Sequence, residues 1–438
     1  MQPITDFDFI ALNFDEDGTL INPQQLETLK DHARQATDAI FLAHGFRNDE
    51  DDAGQLYANL LHTLKQNMAR SEFHDALGAR RFVVAGVFWP SKAFLESFPD
   101  DSIYAELEAL KSEVEGAAQA KVEEAKAVLP RLMNDPDAQD AFVASVLSAV
   151  PDTQSDPMDG LERIRSQNGS DVLQKLRLPL LPVVLSGPDD ADDGGGVAAV
   201  AVAAGAFQEQ GAAQSFGSVL GTILGAAGKL LNFATWYIMK NRSGVVGSTG
   251  VAQAVRDLKA ACPEIRVHLV GHSLGGRLMA ACTNALAQDP QLRPDSVSLL
   301  EAAFSHYGFS SNNGDGQRGF FRDVIDRHAV RGPFISTYSF QDDVVGLDYS
   351  VASRLADDNV KAIGDANDPF GGIGRNGCQK TDESCVIKLK IASNPDGPYS
   401  FQIGKVNCLD GSGGLIQNHG DVANENVTYA VASAIAGT

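Results

Sequence analysis

The segment 264–281, Glu-Ile-Arg-Val-His-Leu-Val-Gly-His-Ser-Leu-Gly-Gly-Arg-Leu-Met-Ala-Ala, constrains the fold more than any other part of the chain. An apolar run from Val267 to Val270 enters Gly271-His272-Ser273-Leu274-Gly275, and a small-residue helical pattern follows at once. A strand that becomes a helix within so few residues must pass its backbone close to itself, so the positions flanking the serine cannot carry bulk. Gly271 and Gly275 meet that need, and Gly276 lets the following helix approach the sheet. Ser273 is then left at the tip of the turn with its hydroxyl exposed.

The rest of the chain supplies the rhythm that such a turn belongs to. Residues 7–14, 39–43, 81–88, 296–300, 333–340 and 401–409 read as strands. Residues 23–36, 53–68, 251–261, 320–327 and 422–436 read as helices, the first with Asn22 as its cap and Pro23 in its first turn. Short apolar strands alternating with amphipathic helices predict an α/β fold, a doubly wound and mainly parallel sheet. Between 91 and 247 the rhythm breaks. Residues 103–129, 137–150 and 161–176 are helical and no strand stands out. The expected organisation is a core domain of 1–90 and 248–438, with 91–247 inserted as a mostly helical cap or lid.

Three stretches carry secondary readings. The acidic loop 188–196 lacks the spacing of an EF-hand and reads as solvated. The Ala/Gly-rich stretch 197–239 reads first as a helical cap over the active site, then as a buried core helix. Its part 216–239 nears membrane-span length but is interrupted by Lys229 and Asn232, which makes a membrane segment the weakest of the three. Residues 357–398 read as loop-rich. Cys378 and Cys385 bracket a polar loop that a disulfide would close, although five cysteines and the absence of a signal-type N-terminus fit reduced thiols equally well. Cys262 and Cys282 read as buried thiols. The expected location is the cytoplasm.

A formal charge of -22 over 438 residues disfavours nucleic acid or an anionic membrane as a long-range partner. No cysteine or histidine spacing points to a metal, and no motif calls for a cofactor. The chemistry-bearing residues instead match nucleophilic catalysis. A serine hydroxyl needs a base within hydrogen-bond reach, and the base needs an acid to orient it. In a strand–turn–helix setting the chain order is serine, acid, histidine. Asp342, two residues past the 333–340 strand, is the preferred acid, with Asp343 as the alternative. Of the nine histidines only His419 lies beyond them. The amide N–H groups of Leu274 and of Phe46, in the His44-Gly45-Phe46 turn, are the expected donors to a developing oxyanion. His44 reads as a group that fixes its loop, with Arg47, Asn48 and Asp49 as possible braces. His268 reads as a satisfied core histidine, and His272 as a supporting neighbour of Ser273.

These residues together resemble the α/β-hydrolase superfamily. The sequence is similar to a group of bacterial and fungal serine hydrolases of undefined substrate, in which His-Gly-aromatic, Trp-Pro-Ser and Arg-Ser-Gly-x-x-Gly stretches recur. Here these are His44 to Phe46, Trp89 to Ser91 and Arg242 to Gly247. The likeness covers about half of the chain and leaves out 91–234 and 357–398. It implies a cofactor-free hydrolase, usually of esters. Combined with the apolar 197–239 stretch, the expectation is an esterase- or lipase-like enzyme taking a hydrophobic acyl group through an acyl-enzyme. An acyltransferase or peptidase with the same residues, and a non-catalytic binding protein on the same fold, are the alternatives.

Overall fold

The structure, a computed structural model, describes residues 6–91, 103–177, 222–345, 355 and 369–438. The expectations for 188–196 and for 197–221 therefore lie outside the described residues. By its contacts the chain divides into two compact units. One comprises Met1–Ser91, Arg242–Val345 and Gly372–Thr438, and the other Lys92–Asn241 and Gly346–Gly371.

The first unit is built on an eight-stranded sheet: β1 (Asp8–Asn13), β2 (Asp38–Ala43), β3 (Phe82–Phe88), β4 (Arg266–His272), β5 (Ser296–Leu300), β6 (Phe334–Tyr338), β7 (Ser384–Lys388) and β8 (Val406–Asp410). The spatial order is β1-β3-β2-β4-β5-β6-β8-β7 and every pairing is parallel. Parallel strands need crossover helices, which cover both faces and bury the strands completely. Accordingly β2, β5 and β6 are buried at every residue. The α/β expectation thus holds at the level of a parallel sheet flanked by helices. One face is covered by helices Glu50–Met68 and Glu425–Ala436, whose Leu61, Leu64, Tyr429 and Val431 share a core with Ile40 and Leu409.

Some boundaries differ from expectation for local reasons. The sequence reading missed β7, because this edge strand is half-exposed and holds only three apolar residues, Cys385 to Ile387, between Ser384 and Lys388. Its Cys385 stands in register with Asn407. The last strand begins at Val406 and not at 401. The stretch 240–250, which precedes the expected 251–261 helix, is itself helical: helix Ile223–Val245 continues through a π-turn, Val246–Val251, into Ala252–Ala261. All five cysteines are free thiols. Cys378 lies beside Cys408, its amide donating to Sγ at 3.5 Å, and Cys262 is only partly buried.

The regular elements among the described residues of the second unit are all helices. The expected 103–129 helix is two, Ile103–Ser112 and Ala117–Val128, separated at Gly116 with φ 56°. Helices Pro136–Ser148, Leu161–Arg165 and Gly169–Arg177 follow. Within this unit Lys240 pairs with Asp159, both buried, and stands over the Trp236 ring. Among the described residues no helix is long and apolar enough to cross a membrane.

Candidate active site

In a parallel sheet every strand delivers its C-terminal end to the same edge, and there side chains far apart in sequence meet. β4 ends at His272, and Ser273 opens helix Leu274–Leu286. The turn is as tight as the glycines suggested: a Cβ on Gly271 would stand 2.2 Å from the Gly275 carbonyl oxygen. Ser273 has φ 57° and ψ -125°, a conformation that a residue with a side chain adopts only under constraint. The constraint comes from β5. The Ser273 amide donates to the Leu300 carbonyl and the Ser273 carbonyl accepts from the Ala303 amide, each at 3.0 Å.

Asp342 and His419 come together behind this turn. His419 Nδ1–H donates to Asp342 Oδ2 at 2.8 Å. With Nδ1–H so engaged, the neutral imidazole carries its lone pair on Nε2, the tautomer a general base requires. Asp342 is fully buried. Its Oδ1 accepts from the Val345 amide, and its carbonyl accepts from Arg375. Asp343, the alternative acid, is exposed. The histidine therefore pairs with Asp342.

His272 links this pair to the serine. Its Nε2–H donates to the His419 carbonyl at 2.8 Å, and the two rings are in tilted contact with centroids 4.8 Å apart. Nδ1 has no hydrogen-bond partner, and the ring lines a small apolar cavity with Leu42, Leu60 and Val270. Burial, and secondarily His419, pushes the His272 pKa down to about 3, so the ring is neutral at any physiological pH.

The loop after β2 lies against the serine. A Cβ on Gly45 would stand 2.7 Å from Ser273 Cβ and 3.2 Å from its Oγ, so this position must be glycine. His44 is wholly buried and its pKa is pushed down to about 4, chiefly by burial. Its Nδ1–H donates to the Gly45 carbonyl at 3.0 Å, and its ring stacks on Trp89. His44 is thereby a fixed element of the loop and not a base for Ser273. Asn48 Nδ2 donates to the carbonyls of Gly45 and Phe46, and Ser91 Oγ donates to the Asn48 carbonyl at 2.9 Å. Arg47, at φ 62°, donates its amide to the Ser91 carbonyl. Arg242 donates to the Pro90 carbonyl. The Trp-Pro-Ser and Arg-Ser-Gly stretches noted in the sequence thus brace one loop. Among the described residues neither the Phe46 amide nor the Leu274 amide donates a hydrogen bond.

Two participants escaped the sequence reading. Arg375 sits in a region read as loop, yet it is fully buried and holds the carbonyls of Phe340 and Asp342. Glu301 follows β5 directly and is also fully buried. Glu301 follows the mixed Ser-Val-Ser-Leu-Leu strand with no local pattern to mark it, and its partner Thr337 lies 36 residues further along the chain. His268, by contrast, is satisfied far from the site, between Asp38 at 3.0 Å and Ser296 at 2.8 Å. Among the described residues no cluster of three or more His, Cys, Asp or Glu side chains is placed to hold a metal. No family model matches the chain, and no curated protein and no solved structure shows significant similarity to it.

Proposed function

We propose that this chain is a serine hydrolase of α/β-hydrolase type, acting on carboxylic esters with a hydrophobic acyl group. One observation carries the reading: a serine in a strained strand–helix turn shares the carboxyl edge of the sheet with a pair formed by buried Asp342 and part-buried His419, and His272 connects the two. In this reading Ser273 Oγ attacks the acyl carbonyl while His419 takes its proton. Asp342 holds the His419 tautomer and stabilises the imidazolium that forms. The tetrahedral oxyanion accepts from the amides of Phe46 and Leu274. His419 then returns the proton to the leaving alcohol, and in the second half it activates the water that releases the acid. The same residues serve acyl transfer equally well; a buried hydrophobic acceptor route, and not the triad, would separate the two activities.

Labelling by a fluorophosphonate probe tests the chemistry. The native protein should label at Ser273 and the Ser273→Ala variant should not. Asp342→Asn should slow labelling by roughly 10³–10⁴-fold, as loss of the orienting acid does elsewhere, whereas Asp343→Asn should stay close to native. An unlabelled native protein, or equal labelling of Ser273→Ala, would falsify the reading. A hydrolysis screen over acyl-chain length, with amide and thioester analogues, then fixes the substrate class.

A further inference from the structure

Glu301 has no role in the mechanism above, and its setting is costly. The side chain is 0% exposed. Oε1 accepts from Thr337 Oγ1 at 2.9 Å, while Oε2 has no hydrogen-bond partner. Among the described residues no cation pairs with it; the charges that act on it are the carboxylates Asp342 and Asp421. Its backbone has φ 40°, strained for a residue with a side chain. An isolated buried carboxylate is far more expensive than a buried neutral acid. Burial first, and the Asp342 charge second, hold its pKa well above the usual carboxylate range.

The connections of Glu301 run to both halves of the site. It lies within the short segment whose Leu300 carbonyl and Ala303 amide grip the backbone of Ser273. Its own amide donates to Thr337 Oγ1 at 3.2 Å, and that same hydroxyl donates back to Oε1. Thr337 is in β6, the strand that leads to Asp342. On the other side Gly374 packs on the Glu301 backbone, where a Cβ would stand 2.4 Å from the carbonyl carbon. The next residue, Arg375, holds the carbonyls of Phe340 and Asp342.

We propose that Glu301 is a positioning residue of this site, a neutral carboxylic acid that locks the segment gripping Ser273 to the strand bearing Asp342. The proposal rests on the reading of Ser273, Asp342 and His419 as one site. A neutral acid suits the task because it accepts from Thr337 without placing a second negative charge beside the His419–Asp342 pair. A carboxylate there would set a second negative charge against Asp342.

The test compares the native protein with Glu301→Gln and Glu301→Leu. Three readouts are used: the rate of fluorophosphonate labelling, the low-field NMR proton of the His419–Asp342 hydrogen bond, and the infrared stretch of a protonated carboxyl at pH 7. The native protein should show that stretch and Glu301→Gln should lack it. Glu301→Leu should label at least tenfold more slowly and lose the sharp low-field proton, and Glu301→Gln, which keeps the acceptor for Thr337, should regain most of both. No protonated-carboxyl band assignable to Glu301 would overturn the proposal. So would native labelling and an unchanged proton in Glu301→Leu, or a folded Glu301→Gln as impaired as the leucine variant. Should the leucine variant not fold, the infrared band and the glutamine variant decide. Should the native protein fail to label at all, the hydrolase reading falls, while the NMR proton and the infrared band still judge Glu301.

Discussion

Ser273, His272 and Glu301 show how far a residue's chemistry depends on what confines it. Ser273 is ordinary in type and becomes a candidate nucleophile through a backbone that β5 holds in a strained shape. His272 and His419 are the same residue type in ring contact, yet one is held neutral by burial and the other faces a carboxylate. Glu301 carries a stability cost with a definite sign. Its folded pKa is raised, so as pH climbs above the ordinary Glu range the unfolded chain releases the proton while the folded chain keeps it. Stability therefore falls with rising pH until the folded pKa is passed. Relative to the native protein, Glu301→Gln should gain unfolding free energy between pH 4 and pH 7, so that the gap at pH 7 favours the variant more than the gap at pH 4. Urea titrations at the two pH values check this; equal gaps would mean that Glu301 is not a held acid. A buried group that destabilises the fold is the kind retained for function and not for packing.

The strand ends form two edges with opposite character. At the carboxyl edge loops brace loops: Asn48 and Ser91 tie the turn after β2 to the turn after β3, and Arg375 ties the 372–376 segment to the turn after β6. At the amino edge lies a sealed polar cluster. Asp38, fully buried at the start of β2, accepts from His268 in β4, Thr37 and Arg80. Burial alone would raise its pKa; the hydrogen bonds of His268 and Thr37 outweigh that and hold it low. A depressed carboxyl pKa adds stability that is present above the unfolded pKa and is lost as pH falls through the folded one. Removing one partner of such a buried group costs about 3–5 kcal/mol. Asp38→Asn should therefore lower the unfolding free energy by about that much, and its midpoint should fall less steeply than the native one on acidification below pH 4. Fluorophosphonate labelling of the folded variant should stay near native, because Asp38 lies at the opposite edge from Ser273.

At the scale of the whole molecule, charge and order of assembly matter. The net charge of -22 makes the folded chain repel itself, and salt screens that repulsion. The thermal midpoint at pH 7.5 should rise between low and moderate salt; a fall would show that attractive surface pairs outweigh the net charge. The periodicity of the chain was enough to mark seven of the strands, because a parallel strand packed under helices carries a short run enriched in apolar residues between turn-forming segments. It was enough, too, to mark Ser273, Asp342 and His419 as candidates, because a strand–turn–helix dictates small residues beside the serine and fixes the order in which partners follow. Local pattern did not reveal β7, whose half-exposed edge position leaves it only three apolar residues, nor the helical course of 240–250. Nor did it decide between Asp342 and Asp343, adjacent residues of one type that only the burial of the first and its approach to His419 distinguish. Glu301 and Arg375 were equally out of reach: their partners lie 36 and 33 residues away in the chain. The amino-acid sequence by itself determined which elements form and which residue types reach the carboxyl edge, since both follow from spacing along the chain. Tertiary structure alone decided which side chains meet there and which stay charged, since contact and burial are properties of the packed sheet.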